Sequence, residues 1–102
     1  MTPEISVEDL KTKFDRKETF ILLDVREVSE HETARIEGST LIPLAELPSR
    51  CGELDKSQRL VVHCGSGARS ARAVQFLIGK GYDAVNVAGG IRAWSELQQK
   101  LG

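Results

Sequence analysis

The chain has 102 residues, 14 basic against 15 acidic, a net charge of −1 and 40% hydrophobic residues. That suffices for one domain with its own core, and the balanced charge excludes a nucleic-acid or membrane surface held by bulk electrostatics. No apolar run approaches the roughly 20 residues of a transmembrane helix, and Met1-Thr2-Pro3-Glu4 lacks the basic-then-apolar pattern of a secretory signal, so a cytoplasmic location is expected.

In chain order, residues 3–5 read as a short first strand. Ser6, with Asp9 three residues on, reads as the cap of a helix that buries Val7, Leu10 and Phe14. Thr19 to Val25 is a nearly continuous apolar run, as expected of a strand covered on both faces of a parallel sheet. Asp24 and Arg26 at its end are out of place for a core and need partners. Glu27 to Ala34 predicts one or two helical turns, and Gly38 breaks the chain before a strand at Thr40-Leu41-Ile42. Pro43 starts a helix-like stretch through Leu44 and Leu47, which Pro48 interrupts, and a polar loop runs from Gly52 to Arg59. Leu60 to His63 is the next strand. Ala71, Val74, Leu77 and Ile78 then recur at helical spacing until Gly79 or Gly81. Ala84 to Val87 is the last strand, Gly89-Gly90 a turn, and Ile91, Trp94, Leu97 and Leu101 stripe a final helix whose face is core.

Strands alternating with helices predict a parallel α/β sheet covered on both faces. Ligands bind such sheets beyond the carboxyl ends of the strands. Asp24–Arg26, Cys64–Arg69 and Ala88–Gly90 all follow strands and meet on that edge, whereas Arg35 precedes a strand and is expected towards the opposite one.

The informative stretch is Leu60-Val61-Val62-His63-Cys64-Gly65-Ser66-Gly67-Ala68-Arg69-Ser70. A buried strand delivers a thiol to its carboxyl end, two glycines curl the loop, and a helix N-terminus stands behind. Loop amides and helix dipole both favour negative charge on the sulfur, which marks Cys64 as a catalytic nucleophile. Cysteine-dependent phosphatases set five residues between Cys and Arg. Here four intervene, Gly65, Ser66, Gly67 and Ala68, a cradle one residue shorter that is expected to fit phosphate poorly but can enclose one extra sulfur atom. The remaining cysteine, Cys51, reads as structural or incidental, with a resolving thiol as the alternative, and a Cys51–Cys64 disulfide is the weaker reading without a secretion signal. No Cys/His cluster has metal-ligand spacing, and no cofactor is implied.

At this point the chain resembles single-domain rhodaneses over nearly its whole length. Asp24-Val25-Arg26-Glu27 is similar to the family's Asp-x-Arg element, and Ile36-Glu37-Gly38-Ser39 with Ile42-Pro43-Leu44 to its next segment. Cys64 to Ser70 resembles the six-residue active-site loop, and Gly81-Tyr82 with Gly89-Gly90-Ile91-Arg92-Ala93-Trp94 the C-terminal signature.

The resemblance implies a rhodanese-like sheet of about five strands and sulfur transfer through a Cys64 persulfide. The donor is a small anion such as thiosulfate, and the acceptor is thiophilic: cyanide, a thiol or a protein cysteine. A relay to a protein partner, in tRNA thiolation or cofactor sulfuration, is the alternative. Gly65, Ser66, Gly67, Ala68 and Arg69 form the binding loop, Arg69 attracts the donor, and Asp24, Arg26, Ser70 and Arg92 support it. Cys-Gly-Ser-Gly also resembles the loop of mercaptopyruvate sulfurtransferases, in which the residue at Ser66 assists. Those proteins continue with Val-Thr rather than Ala-Arg, which favours thiosulfate or a persulfide as donor. The family commonly has Gly and His where this chain has Ala34 and Arg35, a change expected to touch packing away from the chemistry. His63 is expected in the sheet with its hydrogen bond satisfied, Asp24 and Arg26 as a structural pair, and His31 and Arg35 as solvated or packing residues.

Overall fold

Two runs, Ile21–Asp24 (β2) and Leu60–His63 (β4), are apolar towards both faces, and such strands need cover on both sides. The computed structural model, which describes residues 2–102, provides it. Five parallel strands lie in the order β1-β5-β4-β2-β3, with β1 at Glu4–Ile5, β3 at Thr40–Leu41 and β5 at Ala84–Val87. Alternation along β4 sends Leu60, Val62 and Cys64 into one core and Val61 into the other. The first core lies against helices α3 (Leu47–Arg50) and α4 (Ala68–Gly79), the second against α1 (Val7–Asp15) and α5 (Gly90–Leu101).

The one helix outside both layers is α2 (Val28–Thr33), which buries no residue of its own. Hydrogen bonds and ion pairs from Arg26, Asp24 and Arg69 hold it at the carboxyl edge of β2. Register completes that edge: Asp24 stands beside His63, so Val25 and Cys64 leave the sheet side by side, and the Val25 amide donates to the His63 carbonyl.

Local signals explain most boundaries. Ser6 and Asp9 form a reciprocal capping box at α1. Gly81, at φ +91°, ends α4 with left-handed backbone and donates to the Ile78 carbonyl. Pro48 does not interrupt its helix as expected. It sits in the first turn of α3, where its missing N–H costs nothing. Three apolar residues expected in the stripes are exposed. Ile78 falls roughly a quarter turn off the Ser70–Ala73–Leu77 line of α4. Leu101 lies in the last turn of α5, and Phe14 stands at the rim, its ring against Phe20 and Trp94. Trp94 is half-buried at that rim, packed against the second core. Among the described residues no helix is long and apolar enough to cross a membrane.

Leu77 is fully buried where α4 meets the sheet. Leu77→Ala is expected to lower the unfolding free energy by about 2–5 kcal/mol in urea denaturation.

Candidate active site

Cys64 is the first residue after β4, and α4 begins only four residues later. The turn is this short because Gly67 caps α4 at φ +115°, backbone that an L side chain resists. The sulfur therefore sits at the N-terminus of a twelve-residue helix. Its Sγ accepts from the Gly67 amide at 3.1 Å and lies 3.3 Å from the Ser70 hydroxyl. Helix α4 starts ahead of the apolar stripe at Ala71, which places Ser70 in its first turn, fully buried and aimed back at the sulfur.

Ser70 Oγ has one proton and three acceptors within reach: Cys64 Sγ, the Gly67 carbonyl and Asn86 Oδ1. The Asn86 amide is oriented by Nδ2, which donates to Glu4 and to the Gly67 carbonyl. With a neutral thiol the hydroxyl can serve Asn86. With a thiolate it can turn to the sulfur, where a charged acceptor makes the stronger bond. The sequence reading missed Asn86, although one buried amide inside Ala84-Val85-Asn86-Val87 was a signal that a polar partner lay beyond.

The loop's shape is imposed from α5. The amides of Ile91 and Arg92 donate to the carbonyls of Cys64 (2.9 Å) and Gly65 (3.1 Å). Those carbonyls are thereby tied to a second helix N-terminus, leaving the loop N–H groups for the sulfur. So close an approach needs Gly90: a Cβ there would lie 2.5 Å from the Cys64 carbonyl oxygen.

Asp24 and Arg26 do form a buried pair. Asp24 Oδ1 accepts from the Arg26 amide and Nε, and Oδ2 from Arg26 Nη2 at 2.8 Å. Arg26 also donates to the carbonyls of Ala34 (2.7 Å) and Glu30 (3.4 Å), which docks α2. His31 is no bystander, as its Nδ1 lies 2.9 Å from Asp24 Oδ2. His63 meets its expectation on one side only: Nδ1 faces the Cys64 carbonyl at 3.3 Å, but Nε2 has no hydrogen-bond partner and stands 4.0 Å from Asp24. The strand pairing that places it beside Asp24 offers Nε2 nothing closer.

Arg69 does not stand free either. Its Nη1 and Nη2 grip both carboxylate oxygens of Glu30, at 2.7 and 3.0 Å. Glu30, absent from the sequence reading, lies 39 residues away in sequence, and only the docking of α2 brings it here. A cleft of about 400 Å³ opens beside the loop, lined by Arg26, Glu30, Gly65, Ser66, Arg69 and Arg92, with Ala34 on its rim. Ala34 thus lies nearer the site than its position before a strand suggested, because Arg26 draws its carbonyl in. Arg35 points elsewhere, into a separate groove beside Phe14 and Trp94. Arg92 is exposed and makes no ion pair among the described residues. Ser66 and Ala68 are exposed, and Cys51 is half-buried with a free thiol.

Burial pushes the Cys64 thiol up, but the Ser70 hydroxyl and the amides of Ser70, Gly67 and Ser66 outweigh it and hold it below its ordinary value. Burial likewise raises Asp24, yet its bonds from Arg26 and His31 leave it below the usual carboxylate range. The Arg69 guanidinium, with the Glu27 amide, holds Glu30 at about 2. Burial depresses His63 and keeps it neutral, the nearby Asp24 carboxylate opposing only in part. The arrangement is a hydrogen-bonded cradle for one anionic sulfur, opening on a polar cleft.

The rhodanese-like domain family matches this chain over residues 6–97, and the chain belongs to that family. The fold agrees: the crystal structure of a rhodanese-like domain protein from Staphylococcus aureus superimposes with a TM-score of 0.87 at 33% identity, covering 91% of each chain. In Bacillus subtilis, the putative sulfurtransferase YtwF is 37% identical over 89% of this chain and 88% of its own length. The putative sulfur carrier protein YrkF, from the same organism, is 42% identical over 91% of this chain, which spans about half (51%) of YrkF.

Two outcomes follow. Ser70→Ala is expected to raise the pH midpoint of Cys64 alkylation by iodoacetamide and slow the reaction several-fold at neutral pH, read by mass spectrometry. For Asp24, a lowered folded-state pKa means stability that is present above the ordinary carboxylate range, about pH 4, and lost as pH falls through the lower folded value. Asp24→Asn is expected to cost about 3–5 kcal/mol at neutral pH by leaving Arg26 buried and uncompensated, and to flatten the acid limb of a urea-unfolding series.

Proposed function

We propose that this chain is a sulfurtransferase in which Cys64 carries a sulfane sulfur from a donor to a thiophilic acceptor. The observation that supports this reading best is the Cys64 sulfur itself. It is almost wholly buried and meets donors from Gly67 and Ser70 at the N-terminus of α4. Membership of a family with sulfurtransferase and sulfur-carrier relatives points the same way.

With thiosulfate, the Cys64 thiolate attacks the outer sulfur. The new S–S bond forms as the old one breaks, and sulfite leaves with the bonding pair. The negative charge is then on the outer sulfur of the persulfide, next to the amides of Ser66, Gly67 and Ser70 that already favour a charged Cys64 sulfur. An acceptor thiolate attacks that outer sulfur and restores the Cys64 thiolate. Ser70 serves whichever sulfur is anionic, and Arg92 is the cation that meets an anionic donor at the cleft. Asp24 and Arg26 act by holding α2 and the loop edge in place. A reducing, cytoplasmic setting suits a chemistry that needs Cys64 free. Where the acceptor is a cysteine of a protein partner, the same chemistry makes the chain a sulfur relay, and the sulfur-carrier relative favours that version.

Incubation with thiosulfate or cysteine persulfide is expected to add the mass of one sulfur atom to the wild-type protein, removed by cyanide as thiocyanate. Cys64→Ser is expected to take up none and to lose all transfer while melting at an unchanged temperature. No labile sulfur from any donor overturns the proposal. Hydrolysis of an aryl phosphate that disappears in Cys64→Ser would assign the cradle to phosphorus instead.

A further inference from the structure

The Glu30–Arg69 pair lies over the Cys64 loop, not at the protein's margin. The Arg69 guanidinium covers Gly65, since a Cβ on Gly65 would stand 3.2 Å from Nη2. Both side chains remain about one-third exposed and line the cleft that opens beside the loop. Glu30 is not a loose surface carboxylate. Its Oε1 accepts from the Glu27 amide at 2.9 Å, capping α2, and its own carbonyl accepts from Arg26. The carboxylate is thus held by the Glu27 amide, and the residue's backbone by Arg26, against the cation that the family resemblance assigns to donor attraction.

A pinned anion beside that cation has a consequence for charge. The pair is close to neutral, and a doubly charged donor approaching Arg69 also approaches Glu30. The geometry points to Glu30 as a specificity-determining residue that discounts Arg69 as an anion site and biases Cys64 towards sulfane donors of low negative charge, organic persulfides over thiosulfate. This rests on the reading that Cys64 accepts sulfane sulfur. Arg92, which lines the same cleft and forms no ion pair among the described residues, is left as a single cation, enough for a singly charged donor.

The test compares wild type with Glu30→Gln, whose amide oxygen still accepts from the Glu27 amide and preserves the cap. The probes are thiosulfate and cysteine persulfide, which carries one unit less negative charge, with cyanide as acceptor. Glu30→Gln is expected to lower the thiosulfate KM about tenfold, equivalent to about 1.4 kcal/mol, with kcat little changed and cysteine persulfide moved by less than half as much. The thiosulfate KM should also rise more steeply with salt in the variant than in wild type, because an extra uncompensated cation is screened.

The double variant Glu30→Gln, Arg69→Gln restores the local charge and is expected to return the thiosulfate KM to near the wild-type value. An unchanged ratio of the two donors in a Glu30→Gln protein that melts normally and loads sulfur on Cys64 would overturn the role of Glu30 alone. If wild type and variant both fail to load sulfur from either donor, the chemistry at Cys64 and the role of Glu30 fall together.

Discussion

The amides of Ile91 and Arg92, bonded to the carbonyls of Cys64 and Gly65, are the constraint on which the rest of the site depends. A loop this short could present either carbonyls or N–H groups to its own centre. Engaging the carbonyls with the N-terminus of α5 leaves N–H groups for the sulfur, and an anion-binding cradle follows. Gly90 makes the contact sterically possible, and Gly67 lets α4 begin at once on the other side. Two helix N-termini therefore converge on one loop, each meeting a different polarity of the same backbone.

Burial would by itself oppose a thiolate. Cys64 is 1% exposed, and taking a charge out of water raises a thiol's pKa. The balance reverses because the donors are fixed before the charge forms, so no reorganisation is needed to stabilise it. Ser70 and Asn86 add a mobile proton to this otherwise rigid set. The hydroxyl has an alternative acceptor when the sulfur is neutral, which spares it an unsatisfied buried donor in either state.

A second network, centred on Asp24, positions what surrounds the cradle. Helix α2 buries no residue of its own, yet it carries both Glu30 and His31 to the carboxyl edge of the sheet. Arg26 joins them by bonding Asp24 beneath and the carbonyls of Glu30 and Ala34 above. A side of the cleft thus rests on one buried ion pair, whose geometry is good enough to offset its desolvation.

Much of this was legible in the sequence because it is local. Apolar runs at Ile21–Asp24 and Leu60–His63 determined two-faced strands, and glycines placed the turns. Asp24 and Arg26 announced themselves as charges at the end of a buried run. What sequence reasoning could not supply was the pairing of groups far apart along the chain. Arg69 reads as a free cation until α2 docks and Glu30 closes on it. His31 reads as solvated until Asp24 is found beneath it, and Asn86 reads as an oddity until Ser70 turns inward from α4. Spacing along a chain specifies the backbone's local path, whereas the partner of a long side chain depends on which elements the sheet order brings together. For Arg69, that difference changes the charge it presents to the cleft.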